Sequence, residues 1–286
     1  MPLLALALVV LAAFAHASWN MLAKHAAHCR HFNWYYSLLS VLLYAPLAGY
    51  LVSTQPPQLT LAVLACLLST GVLHVAYPEV LQAGYRAADL SVVYPVARGS
   101  GPLLTFFGAI VLLQERPSAL ALLGALHVMS GVFLIAGGPS MLKKAGARSG
   151  LYWGVVIGIA IACYTLVDGY GVKALLIAPP LIDYAGNVFR ALLLFPRAHR
   201  DWPRARSEWT VYWRQALGVA ILGPFAYIMV LYAMRLAPIS HVAPAREMSM
   251  MIGAYFGARV FNEEARHKRL AAAALIVLGV AALTVG

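Results

Sequence analysis

The sequence predicts an all-α integral membrane protein with ten transmembrane helices in two inverted five-helix repeats. Three observations carry that prediction. Of the 286 residues, 62% are hydrophobic and 11% are charged, against roughly 25% charged in a soluble domain. Apolar runs long enough to cross a bilayer recur along the chain, each bounded by Pro, Gly or charge. The two halves also share an ungapped match at a constant offset of 149 residues. Ten spans of ~21 residues occupy about 210 positions. That leaves no room for a nucleotide-binding fold or a soluble domain. A soluble enzyme, a disulfide-stapled secreted protein and a disordered chain are excluded by composition.

The elements follow in order. Residues 2–22 end near Ala15-His16-Ala17, which fits a secretory cleavage site. No basic segment precedes them, so they read as a retained first helix. The next runs are 34–53, 59–86, 89–113 and 118–137, with breaks at Gln55-Pro56-Pro57 and Glu115-Arg116-Pro117-Ser118. After Gly137-Gly138-Pro139 come 150–175, 180–195, 211–236, 239–261 and 269–285. The 180–195 run is the weakest, being short and holding Asp183, Asn187 and Arg190. Runs of about 20 residues without alternation predict helices rather than barrel strands.

The net charge of +11 marks loops rather than nucleic-acid binding. Fourteen of the 21 basic residues fall in odd-numbered connections, among them Lys24, Arg30, Lys143, Lys144, Arg200, Arg204 and Lys268. Only Arg116, Lys173 and Arg235 fall in even ones. Cytoplasmic loops carry the excess of Lys and Arg. The odd loops are therefore expected inside and both termini outside, in a bacterial inner membrane. Cys29, Cys66 and Cys163 are an odd number with no C-x-x-C and read as free thiols.

The internal match aligns 86–115 with 235–264. Eleven of thirty positions are identical, including Arg86/Arg235, Ser91/Ser240, Pro95/Pro244, Gly108/Gly257 and Glu115/Glu264. Apolar bias does not explain matched Pro, Arg, Ser, Gly and Glu. Repeats 1–138 and 149–286 with five helices each are related by inversion, because an odd number of crossings flips the second half. Inverted repeats are a signature of secondary transporters, whose site lies near the midplane between the halves.

Tyr94-Pro95-Val96-Ala97-Arg98-Gly99, Gln114-Glu115-Arg116-Pro117-Ser118, Gly124 and Gly131-Val132 resemble an EamA domain of the drug/metabolite transporter superfamily. His241-Val242-Ala243-Pro244-Ala245-Arg246-Glu247, Glu263-Glu264 and Gly279-Val280 resemble its second copy. Ala17-Ser18-Trp19-Asn20 with Lys24 resembles the end of the family's first helix. The resemblance implies a ten-helix carrier whose fifth and tenth helices pack outside a central cavity. It implies alternating-access transport of amino acids, other small metabolites, amines or drugs. Two departures stand out. The basic residues mark the seventh connection rather than the second, which implies an orientation opposite to the family's usual one. The first helix also holds no Asp or Glu, so the coupling acid of small four-helix relatives has no counterpart.

Charges inside spans normally face the bundle interior. Glu79 and Arg98 lie at similar distances from the turn at 86–89, ~10–14 Å at 1.5 Å per residue. Glu79 reads as a proton- or cation-responsive acid and Arg98 as a carboxylate clamp, or the two form a structural ion pair. In the repeat, Arg98 aligns with Glu247, so the pair can meet across the pseudo-two-fold axis. Arg246 is the better candidate for an anionic substrate group. Asp168, beside Gly169 and Gly171, reads as a coupling acid at an unwound turn, or as an acid at a frayed end. Coupling to a proton or cation is thus assigned to Glu79, Asp168 and Glu247. Glu115 and Glu264 read as caps or loop salt bridges.

His74 and His241 either line the cavity and titrate near neutral pH or are hydrogen-bonded core residues. No metal motif is present. Trp19, Trp34, Tyr77, Tyr94, Tyr227 and Tyr255 form either a cation cage or packing. Asn20 joins the cavity candidates through the family resemblance. Gly154-x-x-x-Gly158 and Gly253-x-x-x-Gly257 read as intramolecular contacts first, with a weak homodimer second.

The expected function is therefore a carrier of a small polar metabolite, an amino acid or similar zwitterion. The alternative is a carrier of organic cations or drugs. Membrane lipid is the solvent, and no cofactor or nucleic-acid partner is expected. An integral-membrane enzyme would need a clustered nucleophile or metal, and none is apparent.

Overall fold

The computed structural model describes residues 1–26, 28–135, 138–143, 146–252 and 266–286. Every regular element among them is helical. The first half holds α1 (Leu3–His25), α2 (Phe32–Thr54), α3 (Leu61–Ala87), α4 (Leu90–Leu113) and α5 (Ala119–Ile135). A 3-10 segment, Gly138–Lys143, leads into α6 (Ala147–Lys173), α7 (Pro179–Arg200), α8 (Trp202–Leu236) and α9 (Ile239–Ala245). Residues 248–252 are helical, and α10 (Arg266–Val285) ends the chain. By length and hydropathy, α1, α2, α3, α4, α6 and α8 can cross a membrane, while α5 and α10 are shorter apolar helices.

Local chemistry sets several boundaries. The Thr60 hydroxyl caps α3 by accepting from Val63 N–H at 3.3 Å. Pro179-Pro180 opens α7 and Pro203 opens α8, since proline is pre-organised for the first turn and its missing N–H is not needed there. Because Trp202-Pro203 initiates it, α8 begins nine residues before the apolar run at 211. Its first turns carry Arg204, Arg206 and Glu208 beyond the apolar stretch.

The ninth run departs most from expectation. It is not one unbroken helix over its described part. After α9 the chain makes a turn at Arg246 and Glu247. There the Glu247, Ser249 and Met250 N–H groups bond three residues back, to Pro244, Arg246 and Glu247 carbonyls. Pro244 has no N–H to continue the ladder. Such a mid-run tightening marks a hinge or a site under local constraint. Residues 253–265 lie outside the described residues, and with them Tyr255, Glu264 and the Gly253-x-x-x-Gly257 motif.

The helices pack as α4 on α6, α5 on α10, α1 on α8, α2 on α7 and α8, and α3 on α6 and α7. Small residues set these approaches, as expected where lipid removes any hydrophobic drive between helices. A Cβ on Gly150 or Gly154 would meet Val92 or Val96 on α4, and one on Gly124 would lie 2.7 Å from the Gly279 carbonyl. The Gly154-x-x-x-Gly158 motif thus serves contact within the chain. Leu42, Leu112, Leu192 and Leu278 are among the large apolar side chains left exposed for lipid.

Connections of like parity meet. At one end, the Glu115 carboxylate, between α4 and α5, accepts from Ile239 N–H at 2.8 Å and Ser240 N–H at 2.9 Å. It also accepts from the Ser240 hydroxyl at 2.7 Å and Lys173 Nζ at 3.1 Å. The fourth, sixth and eighth connections are thereby tied, with Glu115 capping α9 from the other half of the chain. The N-terminal ammonium also bonds the Thr284 carbonyl. At the opposite end, Glu208 on α8 accepts from Arg30 and His31 N–H, both at 3.1 Å. Asp201 lies 3.2 Å from His31 Nε2.

Candidate functional site

Two buried polar clusters occupy the interior, separated by tyrosines. The first joins Arg98 on α4 to the turn after α9. Arg98 Nη2 lies 2.9 Å from Glu247 Oε2 and donates to Ser249 Oγ at 3.3 Å. Arg246 Nε lies 4.0 Å from Glu247 Oε1. Arg98, Arg246 and Glu247 are 8%, 4% and 0% exposed. Two cations among the described residues therefore face one anion in a nearly dry site. Among the described residues, Arg246 Nε and Nη2, Arg98 Nε and both Glu247 oxygens make no hydrogen bond of good geometry. Leaving buried charged donors unmatched is costly. Donors held this way, beside an acceptor with spare lone pairs, are suited to a ligand carrying both an acceptor and a donor group. His16 on α1 lies within electrostatic reach of both arginines.

The second cluster centres on Asp168, which is fully buried. His74 Nε2 on α3 lies 2.8 Å from Asp168 Oδ2, and the Tyr227 hydroxyl on α8 donates to the same oxygen. Arg190 on α7 approaches His74 Nδ1 through Nη2 at 3.4 Å. Its Nη1 donates to the Tyr36 hydroxyl at 3.0 Å and to Asn187 Oδ1 at 3.4 Å. Asn187 Nδ2 in turn donates to Asp183 Oδ2 at 3.0 Å. The three polar residues that weakened the 180–195 prediction therefore share one face of α7, spaced i, i+4 and i+7, and form one network.

Between the clusters, Tyr164 packs on His74, Tyr77 and Tyr227, with ring centroids 4.9, 5.5 and 6.3 Å apart. An apolar crevice of about 550 Å³ between Leu68, Leu73, Leu112 and Leu166 lies outside both clusters.

Several expectations are corrected. Glu79 does not meet Arg98. It lies 3.7 Å from Arg197 on α7, and both side chains are about half exposed, because this face of α3 turns outward toward α7. Asp168 is not at an unwound turn. Helix α6 runs through Gly169 and Gly171, and these glycines instead admit Ile239, Ile182 and Cys66 at close range. The break falls at Arg246–Glu247. His241 is buried but bonded beside Ser240, at 3.2 Å, near the Glu115 end, away from the Arg98 cluster. Asn20 Nδ2 is satisfied by its own helix at the His16 carbonyl, and Trp19 packs on the His16 ring. Tyr94 is 37% exposed, one turn before Arg98. Arg190 was absent from the sequence candidates. Its signal was the polar spacing in α7 with an arginine at the inner position.

Outside the spans, Glu115 and Cys29 are among the groups with shifted proton affinities. Burial raises the Glu115 affinity, but bonds from Ser240, Ile239 and Lys173 outweigh it and hold the carboxyl below its ordinary value. Burial, then the neighbouring Glu208 carboxylate, pushes the Cys29 thiol up to about 12. All three cysteines are free, and no cluster of metal ligands occurs among the described residues.

Residues 148–285 match the model of the EamA-like transporter family. No curated protein matches the sequence. A solved crystal structure of a protein superposes with a TM-score of 0.69 over 98% of this chain and 96% of its own. Its identity is 13%, so that likeness speaks to the fold alone.

Proposed function

We propose that this chain, whose residues 148–285 match the EamA-like transporter family, is a secondary carrier of a small zwitterionic metabolite such as an amino acid. Arg246, with Arg98 behind it, receives the carboxylate. Glu247 receives the amine, and Tyr77, Tyr164 and Tyr227 wall the site. The observation that carries this reading is the turn at Arg246–Glu247, where, among the described residues, Arg246 Nε and Nη2 make no hydrogen bond and lie beside the Glu247 carboxylate that Arg98 also approaches. Discontinuous helices place such groups at transporter sites, and Arg suits planar carboxylates.

The carrier works by alternating access between inverted halves, 1–138 and 149–286, within ten spans. The packing supports a two-fold relation. Exchanging each helix for its partner five places on turns α1·α8 into α3·α6 and α2·α8 into α3·α7, while α2·α7 and α5·α10 map onto themselves. The Arg98–Glu247 contact joins positions that the repeat makes equivalent, so it lies where rocking halves would part. The basic odd connections face the cytoplasm of a bacterial inner membrane, with both termini outside.

A thermal-shift panel tests the site. Amino acids are expected to raise the melting temperature more than their decarboxylated amines, and Arg246→Gln to abolish that difference. Stabilisation by amines alone, unaffected by Arg246→Gln, would favour the organic-cation carrier instead.

A further inference from the structure

The Asp168 cluster holds more than a coupling acid. Arginine has only donors, so the 3.4 Å approach of Arg190 Nη2 to His74 Nδ1 requires Nδ1 to be the acceptor. The other ring nitrogen, Nε2, then carries the proton and donates to Asp168 Oδ2 at 2.8 Å. His74 is therefore neutral in this arrangement, its tautomer fixed from both sides. Arg190 also donates to the His74 carbonyl at 3.4 Å, to the Tyr36 hydroxyl at 3.0 Å and to Asn187 at 3.4 Å. It thus links α7 to α3 and α2 at one point.

We propose that His74 is the proton-binding site of the carrier and that Arg190 is the latch it releases. A proton from water adds to the Nδ1 lone pair. The resulting imidazolium keeps its Nε2–H bond to Asp168, but Nδ1–H now faces the Arg190 N–H. Two donors and two positive charges cannot share that contact. Arg190 withdraws toward Asn187, Asp183 and Tyr36, and α7 loosens from α3. Deprotonation closes the latch again. The proposal rests on the carrier reading, for which it names the coupling ion as a proton and the moving element as α7.

Titratable and charged groups from several elements surround His74 and Asp168. From α3, Cys66 lies within electrostatic reach of Asp168. From α6, Tyr164 stacks on the imidazole. From α7, Asp183 lies within electrostatic reach of His74, Arg190 and Asp168. From α8, Tyr227 donates to Asp168. Arg246 after α9 lies within electrostatic reach of Tyr164 and Tyr227. The imidazole is the group in contact with both Arg190 and Asp168. Tyr227 and Tyr164 also belong to the tyrosine wall of the substrate site, so the two clusters share a boundary.

Hydrogen exchange of the purified full chain, corrected for intrinsic rates, tests the latch without any substrate. Exchange over residues 179–200 is expected to rise about tenfold between pH 8 and pH 5, the effect of losing one charge-assisted bond. In His74→Gln this pH response disappears. In Arg190→Gln the segment already exchanges fast at pH 8, which keeps the test usable if His74→Gln does not fold. A wild-type segment whose corrected protection ignores pH, or an unchanged response in His74→Gln, overturns the latch. A failure of proteoliposomes to move any substrate would overturn the carrier reading while leaving the exchange result standing.

Discussion

At the residue scale, the charges inside this protein divide by what completes them. Glu115 is complete: two backbone N–H groups, a hydroxyl and an ammonium fill its lone pairs. Its proton affinity is held below the free value of 4.5. A depressed carboxyl contributes stability that is present above the unfolded value and lost as pH falls through the folded one. Glu115→Gln is expected to cost about 1–2 kcal/mol at neutral pH. The gap in melting temperature from wild type should be full above about pH 4.5 and close below it. A gap constant between about pH 7 and pH 3 would show that the charge contributes nothing. Arg246 is the opposite case, since its Nε and Nη2 make no hydrogen bond among the described residues. The sequence named Arg98, Arg246 and Glu247 as charges inside spans, and the repeat set Arg98 opposite Glu247. It misplaced Glu79 because depth along a helix says nothing about which way a side chain turns.

At the element scale, close contact replaces hydrophobic drive. Helices α5 and α10 meet where a Cβ on Gly124 or on Gly279 would lie 2.7 or 2.6 Å from the carbonyl of the other glycine. Backbone cannot yield as a flexible side chain does, so Gly124→Val is expected to destabilise by about 1–3 kcal/mol and to weaken the α5·α10 contact. Gly49, where a Cβ meets nothing within 4 Å, is the control and should tolerate alanine within about 0.5 kcal/mol. Equal melting temperatures for Gly124→Val and wild type would contradict this packing. The apolar periods located most helices to within a few residues, since composition and breakers act locally. The turn at 246–247 was not legible, because the matched Pro95 sits inside an unbroken α4. Proline permits a break without requiring one. The network on α7 was hidden for a related reason: polar residues in a short run lower its apparent hydropathy whether they face lipid or each other.

At the scale of the whole molecule, the hydrogen bonds place odd connections with odd and even with even, and the basic residues crowd the odd side. An active cytoplasmic reporter at the C-terminus, with an inactive periplasmic one, would reverse the proposed orientation. The expected result is the converse, since the termini sit with the sparsely charged even connections. The match between the halves was legible because shared Pro, Ser, Gly and Glu are not explained by apolar bias. The cargo was not, since a few donors and acceptors define a chemical class and many metabolites share it.

The most direct test of the central claim is counterflow in proteoliposomes, with radiolabelled amino acids set against their decarboxylated amines. At least one amino acid is expected to exchange and its amine is not, and Arg246→Ala is expected to abolish the exchange while the protein remains folded. Exchange of amines but not amino acids, with Arg246→Ala as active as wild type, would contradict that claim.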